Sequence, residues 1–394
     1  MGQGKTQSMI QKMNDDKNTE YNYFYITPYL KEVDRIQKSC DRKFYQPDSQ
    51  RGHGSKLTDL HNLLAENKDI VSTHSLFRMA TDETRELIKS GKYILILDEV
   101  MDVVEYLELS KSDLDTLINT NLITIENNTI KWNEKSELGL DYEGRFSDIK
   151  NMAMNNCLFI VDGKILVWTF PISIFEYFEE VYVLTYLFNG QIQKYYYDLY
   201  NIEYEYYRVF KDEDKYYISQ DDKNYKEIKD RLKEKIHIID DKINNIGDED
   251  YSLSATWYKK NNNRMLMNKL KNNIYNFYHN KYNTKSNEII WTTYKHYKTK
   301  LQGKGYAKRF IPLNARATNE YKDCKYLSYC CNIFVNPIYH KFFYQYDIKI
   351  DQDIYALSEM IQWIWRGAIR EENDIWLFLP SKRMRNLLEY WLEN

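Results

Sequence analysis

Proline and glycine are scarce in this 394-residue chain, at 6 and 13 residues. That scarcity excludes collagen-like and Pro/Gly-rich low-complexity classes. Cysteine is also rare. Cys40, Cys157, Cys324, Cys330 and Cys331 form no C-x-x-C pair, and their odd number supports neither a disulfide framework nor a zinc site. A reducing cytosol fits this usage. No apolar run approaches the roughly 18 residues of a membrane span, and the first residues are polar from Gln3 onward, unlike a signal peptide. An excess of one charge is missing too: 55 Lys and Arg against 58 Asp and Glu leave a net charge of −3. Any polyanion-binding surface must therefore be a local patch.

What is present points to a folded α/β protein. Hydrophobic residues make up 43% and aromatic residues 15%, which excludes an aromatic-poor disordered chain. The 37 tyrosines, against 16 Phe and 8 Trp, fit an AT-rich coding background. The length suits two domains of ordinary size. Tyr21–Ile26, Asp69–Ser72, Lys92–Leu97 and Ile165–Thr169 read as strands, alternating with helical stretches such as Gln7–Met13. Lys92–Leu97 is a nearly continuous apolar run, as a parallel strand covered on both faces requires. Val181–Leu187, Glu288–Thr293 and Tyr326–Val335 read as further strands, Tyr195–Phe210 as a tyrosine-rich strand-like stretch, and residues 353–370 as a helix.

Charge divides the middle of the chain. Residues 201–250 carry 15 acidic and 10 basic side chains, whereas residues 251–310 carry 13 basic side chains and one acidic, Glu288. In the basic segment Trp257, Tyr258, Lys259, Lys260, Arg264, Tyr294, Lys295, Lys298, Lys304 and Lys308 interleave aromatics with cations. Cations neutralise phosphates and aromatics stack on bases, so this segment is a candidate strand-binding surface. A solvated lysine-rich surface with incidental tyrosines would read the same way.

Two short motifs carry chemistry. Gly2-Gln3-Gly4-Lys5-Thr6 ends like the phosphate loop G-x-x-x-x-G-K-[ST]. In such a loop glycines let backbone N–H groups approach phosphates, the lysine reaches the terminal phosphates, and the hydroxyl ligates Mg²⁺. The loop's first glycine would fall one residue before Met1, and the strand that feeds the loop is missing. The expectation is that Met1 was internal to a longer ancestral loop. The second motif, Leu95-Ile96-Leu97-Asp98-Glu99, puts two carboxylates directly after a buried strand, the position of a metal-holding acid beside a phosphate loop. Asp98 would hold Mg²⁺ and Glu99 would orient and deprotonate the attacking water.

With both motifs in place, the chain resembles the phage-encoded superfamily-2 DEAD-like helicases of Gram-positive hosts. The resemblance implies two RecA-like α/β domains with parallel sheets, about 1–180 and 181–394, the second carrying a Tyr/Lys-rich insertion at about 195–285. Gly2–Thr6 is similar to motif I, Ile26-Thr27-Pro28 to motif Ia, Val71-Ser72-Thr73-His74 to motif Ib, and Asp98-Glu99-Val100-Met101 to motif II. Trp168–Pro171 falls where motif III is expected, although its residues depart from that pattern. Ser254-Ala255-Thr256 spells the usual motif III triplet but lies in the wrong order along the chain. Glu288–Tyr294 is similar to motif IV, residues 314–319 with Arg316 to motif V, and Gln362–Arg370 to motif VI.

The resemblance implies ATP as substrate with Mg²⁺, held by Gly2, Gly4, Lys5, Thr6, Asp98 and Gln362, with Arg366 or Arg370 as the finger on the γ-phosphate. The usual motif VI spaces its two arginines three residues apart and here the gap is four; on a helix both spacings leave the side chains on one face. Nucleic acid, DNA rather than RNA, would run past Thr27, Thr73, Lys259, Lys260, Lys295, Lys298 and Arg316. The implied activity is a helicase or translocase of phage DNA replication in the host cytoplasm, with replication proteins as partners and no membrane. A nucleic-acid-stimulated ATPase without strand separation, and a binding module that no longer holds ATP, are the competing readings.

Overall fold

A computed structural model describes residues 4–17, 20–220, 225–260, 263–314 and 320–394. The chain divides into two compact units. The first comprises Thr6–Glu205 and Asn336–Ile350. The second comprises Tyr206–Val335 and Asp351–Asn394, with the residues up to Lys5 grouped with it.

The first unit is built on a parallel sheet of β1 (Asn22–Thr27), β2 (Ile70–Thr73), β3 (Tyr93–Asp98) and, after a long excursion, a strand at Glu180–Leu184. Side chains alternate across a strand, so β1 feeds two cores. Tyr23 and Tyr25 pack with Ile94, Ile96 and with Met9, Ile10 and Met13 of the helix Lys5–Asp15. Phe24 points to the other face, its ring 5.5 Å from that of Phe77. Each such fully buried side chain stabilises the fold by about 1.5–3 kcal/mol.

The excursion is an antiparallel sheet of β4 (Val104–Leu107), β5 (Ile123–Glu126), β6 (Thr129–Trp132), β7 (Leu158–Val161) and β8 (Ile165–Thr169), in the order β4-β8-β7-β6-β5. Asn127 and Asn128 join β5 to β6 with φ of +48° and +63°, the left-handed pair that a tight hairpin turn needs. The strand that returns to the parallel sheet, Glu180–Leu184, is β9. It pairs with β3 from Ile94↔Glu180 to Asp98↔Leu184.

The second unit opens with an antiparallel hairpin, β10 (Arg208–Asp212) and β11 (Lys215–Ser219). Its parallel sheet holds β12 (Ile236–Ile238), β13 (Ile289–Thr292), β14 (Tyr326–Tyr329) and β15 (Ile375–Phe378), in the order β12-β15-β14-β13. Leu270, Ile274, Phe277, Tyr278, Trp291 and Phe378 form part of its core.

Two parallel α/β sheets are thus present, as expected, and three details of the sequence reading are corrected. First, a division at 180/181 would detach β9 from β3; the units separate at 205/206, and residues 336–350 return to the first unit. Second, Ile165–Thr169 is not a strand of the parallel sheet but pairs antiparallel with β4 and β7. Third, Tyr195–Phe210 is not one extended stretch: Ile192–Leu199 is a helix whose Tyr195, Tyr196 and Tyr197 are buried. The supposed insertion at 195–285 is divided between the units, and β12 within it is a strand of the second parallel sheet. Among the described residues no strand precedes the helix Lys5–Asp15, and β9 is the last strand on its side of the sheet.

Candidate active site

Thr6 of the loop motif meets the acidic motif at the carboxyl edge of the first parallel sheet, where ligands of open α/β sheets bind. Gly4 has φ +79°, a left-handed backbone that suits glycine. The helix Lys5–Asp15 begins directly after it, with its positive dipole end at the glycine. Thr6 Oγ1 donates to both carboxylate oxygens of Asp98, at 3.3 Å each. The Tyr25 hydroxyl donates to Asp98 Oδ2 at 3.0 Å. Burial, and then the Asp98 charge, hold that hydroxyl well above the ordinary tyrosine pKa, so it stays protonated and donating.

Glu99 follows at φ +70°, uncommon for a residue with a side chain. Its N–H donates to Leu184 O at 3.2 Å, and its carboxylate accepts from Thr185 Oγ1 at 3.4 Å. Two residues later Met101 N–H donates to Gln193 Oε1 at 2.9 Å, and Gln193 Nε2 donates to the Tyr197 hydroxyl at 3.0 Å. The turn after β3 is therefore fastened to β9 and to the helix Ile192–Leu199. Thr27 and Thr73 are register partners at the ends of β1 and β2, on the same edge. The buried Thr27 hydroxyl has no hydrogen-bond partner among the described residues. Thr73 accepts from Leu76 N–H and caps the short helix His74–Phe77.

The donor set fits Mg²⁺. A hydroxyl and a carboxylate already in contact offer the hard oxygen ligands this ion takes. Sequence reasoning placed Thr6, Asp98 and Glu99 here but missed Tyr25, Thr185 and Gln193. Thr185 was legible as the hydroxyl residue ending the apolar run Val181–Leu184. The residues expected at motif III lie elsewhere: Trp168 is on β8, stacked under Arg78 at 5.1 Å, and the Thr169 hydroxyl is 2.7 Å from that of Tyr200.

In the second unit Gln362 lies on the helix Gln352–Ile364, and its buried Nε2 has no hydrogen-bond partner among the described residues. That helix ends before Arg366. A 3₁₀ turn, Ala368–Glu371, carries Arg370, so the helical same-face argument for the two arginines does not hold. The break falls at Gly367, where an added Cβ would lie 3.0 Å from Cys324 O, just ahead of β14. Arg366 is 7% exposed and Arg370 is exposed.

The basic segment is also corrected in part. Trp257 and Tyr258 are buried in the core. The Tyr258 hydroxyl donates to Cys330 O at 2.8 Å, and the Tyr294 hydroxyl donates to Asn332 O at 2.7 Å. These rings are therefore not a stacking platform for bases. The cations remain outside: Lys259, Lys260 and Lys295 are exposed, and Lys298 is half-buried with Nζ 4.9 Å from the Phe310 ring centroid. Tyr258 stacks on Tyr297 with ring centroids 4.9 Å apart, which brings the helix Ala255–Lys259 and the turn Lys295–Tyr297 together. Ser254, in the misplaced triplet, caps that helix by accepting from Trp257 N–H at 3.2 Å. Gly2 and Arg316 lie outside the described residues.

Comparison with known proteins places the chain. It is 49% identical over 401 residues to the SPbeta prophage-derived uncharacterized protein YonV of Bacillus subtilis (strain 168), an alignment covering 100% of this chain and 97% of that protein. The chain belongs to the YonV family. Its residues 104–168 match the family's middle domain, which coincides with the antiparallel sheet from β4 to β8. Residues 230–392 match the YonV C-terminal Rossmann-like domain, which spans β12 to β15. A solved structure described as an XPD helicase aligns over 99% of this chain and 93% of its own, at 12% identity and a TM-score of 0.41, too distant a likeness to carry an argument. Among the described residues no helix is long and apolar enough to cross a membrane.

Proposed function

We propose that this chain is a nucleic-acid-dependent ATPase that moves on or unwinds DNA in phage replication, in the host cytoplasm. The observation that carries the reading is the contact between Thr6 and Asp98. It joins the loop motif to the acidic motif across 92 residues of sequence, at the carboxyl edge of a parallel sheet. The prophage-derived relative supports the phage setting.

In this reading the backbone around Gly2 and Gly4, together with Lys5, holds the phosphates, and Thr6 and Asp98 hold Mg²⁺. Bound Mg²⁺ supplies charge neutralisation at the phosphate oxygens. Glu99, steadied by Thr185 and by the Leu184 carbonyl, orients the attacking water and takes its proton. Gln362 would serve the nucleotide, and one of Arg366 and Arg370 the charge that develops on the γ-phosphate. Thr27, Thr73, Arg316 and the lysines at 259, 260, 295 and 298 serve the strand. Replication proteins are the expected partners.

The test is ATP hydrolysis with and without single-stranded DNA, in the parent and in Lys5→Ala. Hydrolysis that DNA stimulates and that the substitution abolishes supports the reading. Equal rates in the two proteins refute it. A binding module without turnover is the second reading, favoured by the exposed lysines at 259, 260 and 295. DNA binding without any hydrolysis would select it.

A further inference from the structure

We infer that Tyr25 is a positioning residue for the metal-holding carboxylate, an inference that rests on the proposed nucleotide site. Asp98 sits at the last position of β3, where the strand gives way to the turn that carries Glu99. A carboxylate at a strand end can rotate about its side-chain bonds, and a divalent ion needs it in one orientation. Two of the groups that meet it are hydroxyls. Thr6 reaches both oxygens of the carboxylate, and Tyr25 reaches Oδ2 alone, at 3.0 Å.

The two donors differ in kind. Thr6 is itself in the proposed metal-holding set, so its hydroxyl must serve the ion as well as Asp98. Tyr25 is not in that set, although its hydroxyl also hydrogen-bonds with the Thr6 side chain. It projects from the neighbouring strand β1, where Tyr25 is the register partner of Ile96, two residues before Asp98. Its ring is fully buried among the residues that pack the helix Lys5–Asp15 against the sheet, so the hydroxyl cannot swing away. A rigid aromatic stem thus holds a donor against one oxygen. Removing a hydrogen-bond donor that orients a metal ligand typically changes metal affinity or activity 10–100-fold.

The experiment compares the full chain with Tyr25→Phe, which keeps the ring and deletes only the donor. Tyr93→Phe is the control: Tyr93 is equally buried on β3, but its hydroxyl donates to the Lys68 carbonyl at 3.0 Å, away from Asp98. Mn²⁺ binding is measured by electron paramagnetic resonance in the presence of a non-hydrolysable ATP analogue, alongside the Mg²⁺ dependence of ATP hydrolysis. Tyr25→Phe should weaken Mn²⁺ binding and raise the half-saturating Mg²⁺ concentration by about tenfold, at the lower end of the range for such donors. The maximal rate at saturating Mg²⁺ should be largely retained, and Tyr93→Phe should leave both metal measures unchanged. Parental metal affinity in Tyr25→Phe overturns the inference, and so does an equal shift in Tyr93→Phe, which would mark a general packing effect. A parent that binds no Mn²⁺ with the analogue overturns the nucleotide-site reading itself, and this inference with it.

Discussion

The lysine patch makes a quantitative prediction. Changing Lys259, Lys260, Lys295 and Lys298 together to Gln should weaken single-stranded DNA binding and flatten its salt dependence. Lys259, Lys260 and Lys295 are exposed and count as full phosphate contacts, whereas Lys298 is partly committed to the Phe310 ring. Each lost contact removes ~0.7 from the log–log slope on a single strand, so three remove about 2 units. At about 0.1 M salt the same counterion term corresponds to roughly a hundredfold loss of affinity, shrinking as salt rises. The loss should be the same on every sequence, because phosphate contacts carry no base information. Fluorescence anisotropy of labelled oligonucleotides, titrated at several salt concentrations, gives both slope and affinity. Lys92→Gln, which removes a surface lysine paired with Glu20 in the first unit, is the charge control. A four-lysine variant with the parent's slope and affinity would refute the assignment, because the polyanion would then be held elsewhere.

Three further outcomes follow from the same geometry. Glu99→Gln should bind ATP as the parent does and lose turnover by about 10²–10⁴-fold, since only the base is removed; an unchanged steady-state rate would exclude Glu99 from the chemistry. Tyr258→Ala should lower stability by about 3–5 kcal/mol, as expected for emptying a core aromatic site, and chemical denaturation would show it; a specific loss of DNA affinity at full stability would restore a base-stacking role. Burial pushes the thiols of Cys40 and Cys157 up to about 12 and raises those of Cys324, Cys330 and Cys331. At pH 8 the native protein should therefore react slowly with a thiol reagent, faster as pH rises toward those values. The unfolded chain should release all five thiols at once; rapid native labelling would contradict the burial.

Much of the site was legible because its signals are local. A run such as Tyr93–Leu97 has only one economical use, a strand covered on both faces, and the residue that follows it is fixed at the sheet's carboxyl edge. Gly4-Lys5-Thr6 specifies a left-handed turn and a helix start within three residues, and the structure has both. Turn signals for the antiparallel sheet were present as well, in Asn127-Asn128 and Asp162-Gly163, but a local signal says that a chain reverses, not which sheet it joins.

That choice belongs to tertiary structure. Ile165–Thr169 and Glu180–Leu184 are apolar pentapeptides of similar character, yet only the second pairs with β3. Its selection depends on contacts more than 80 residues apart in sequence, among them Thr185 with Glu99. Burial was settled the same way. Nothing within the sequence around Tyr258 distinguishes a ring that stacks on a base from one whose hydroxyl meets Cys330 O, 72 residues away. The sequence by itself determined which residues can make strands, caps and an acidic pair at a strand end, because those depend on backbone preference and near neighbours. Only the folded chain decided which strand lies beside Asp98, which tyrosine holds its carboxylate and which aromatics face water, because each is fixed by packing between segments that the sequence leaves far apart.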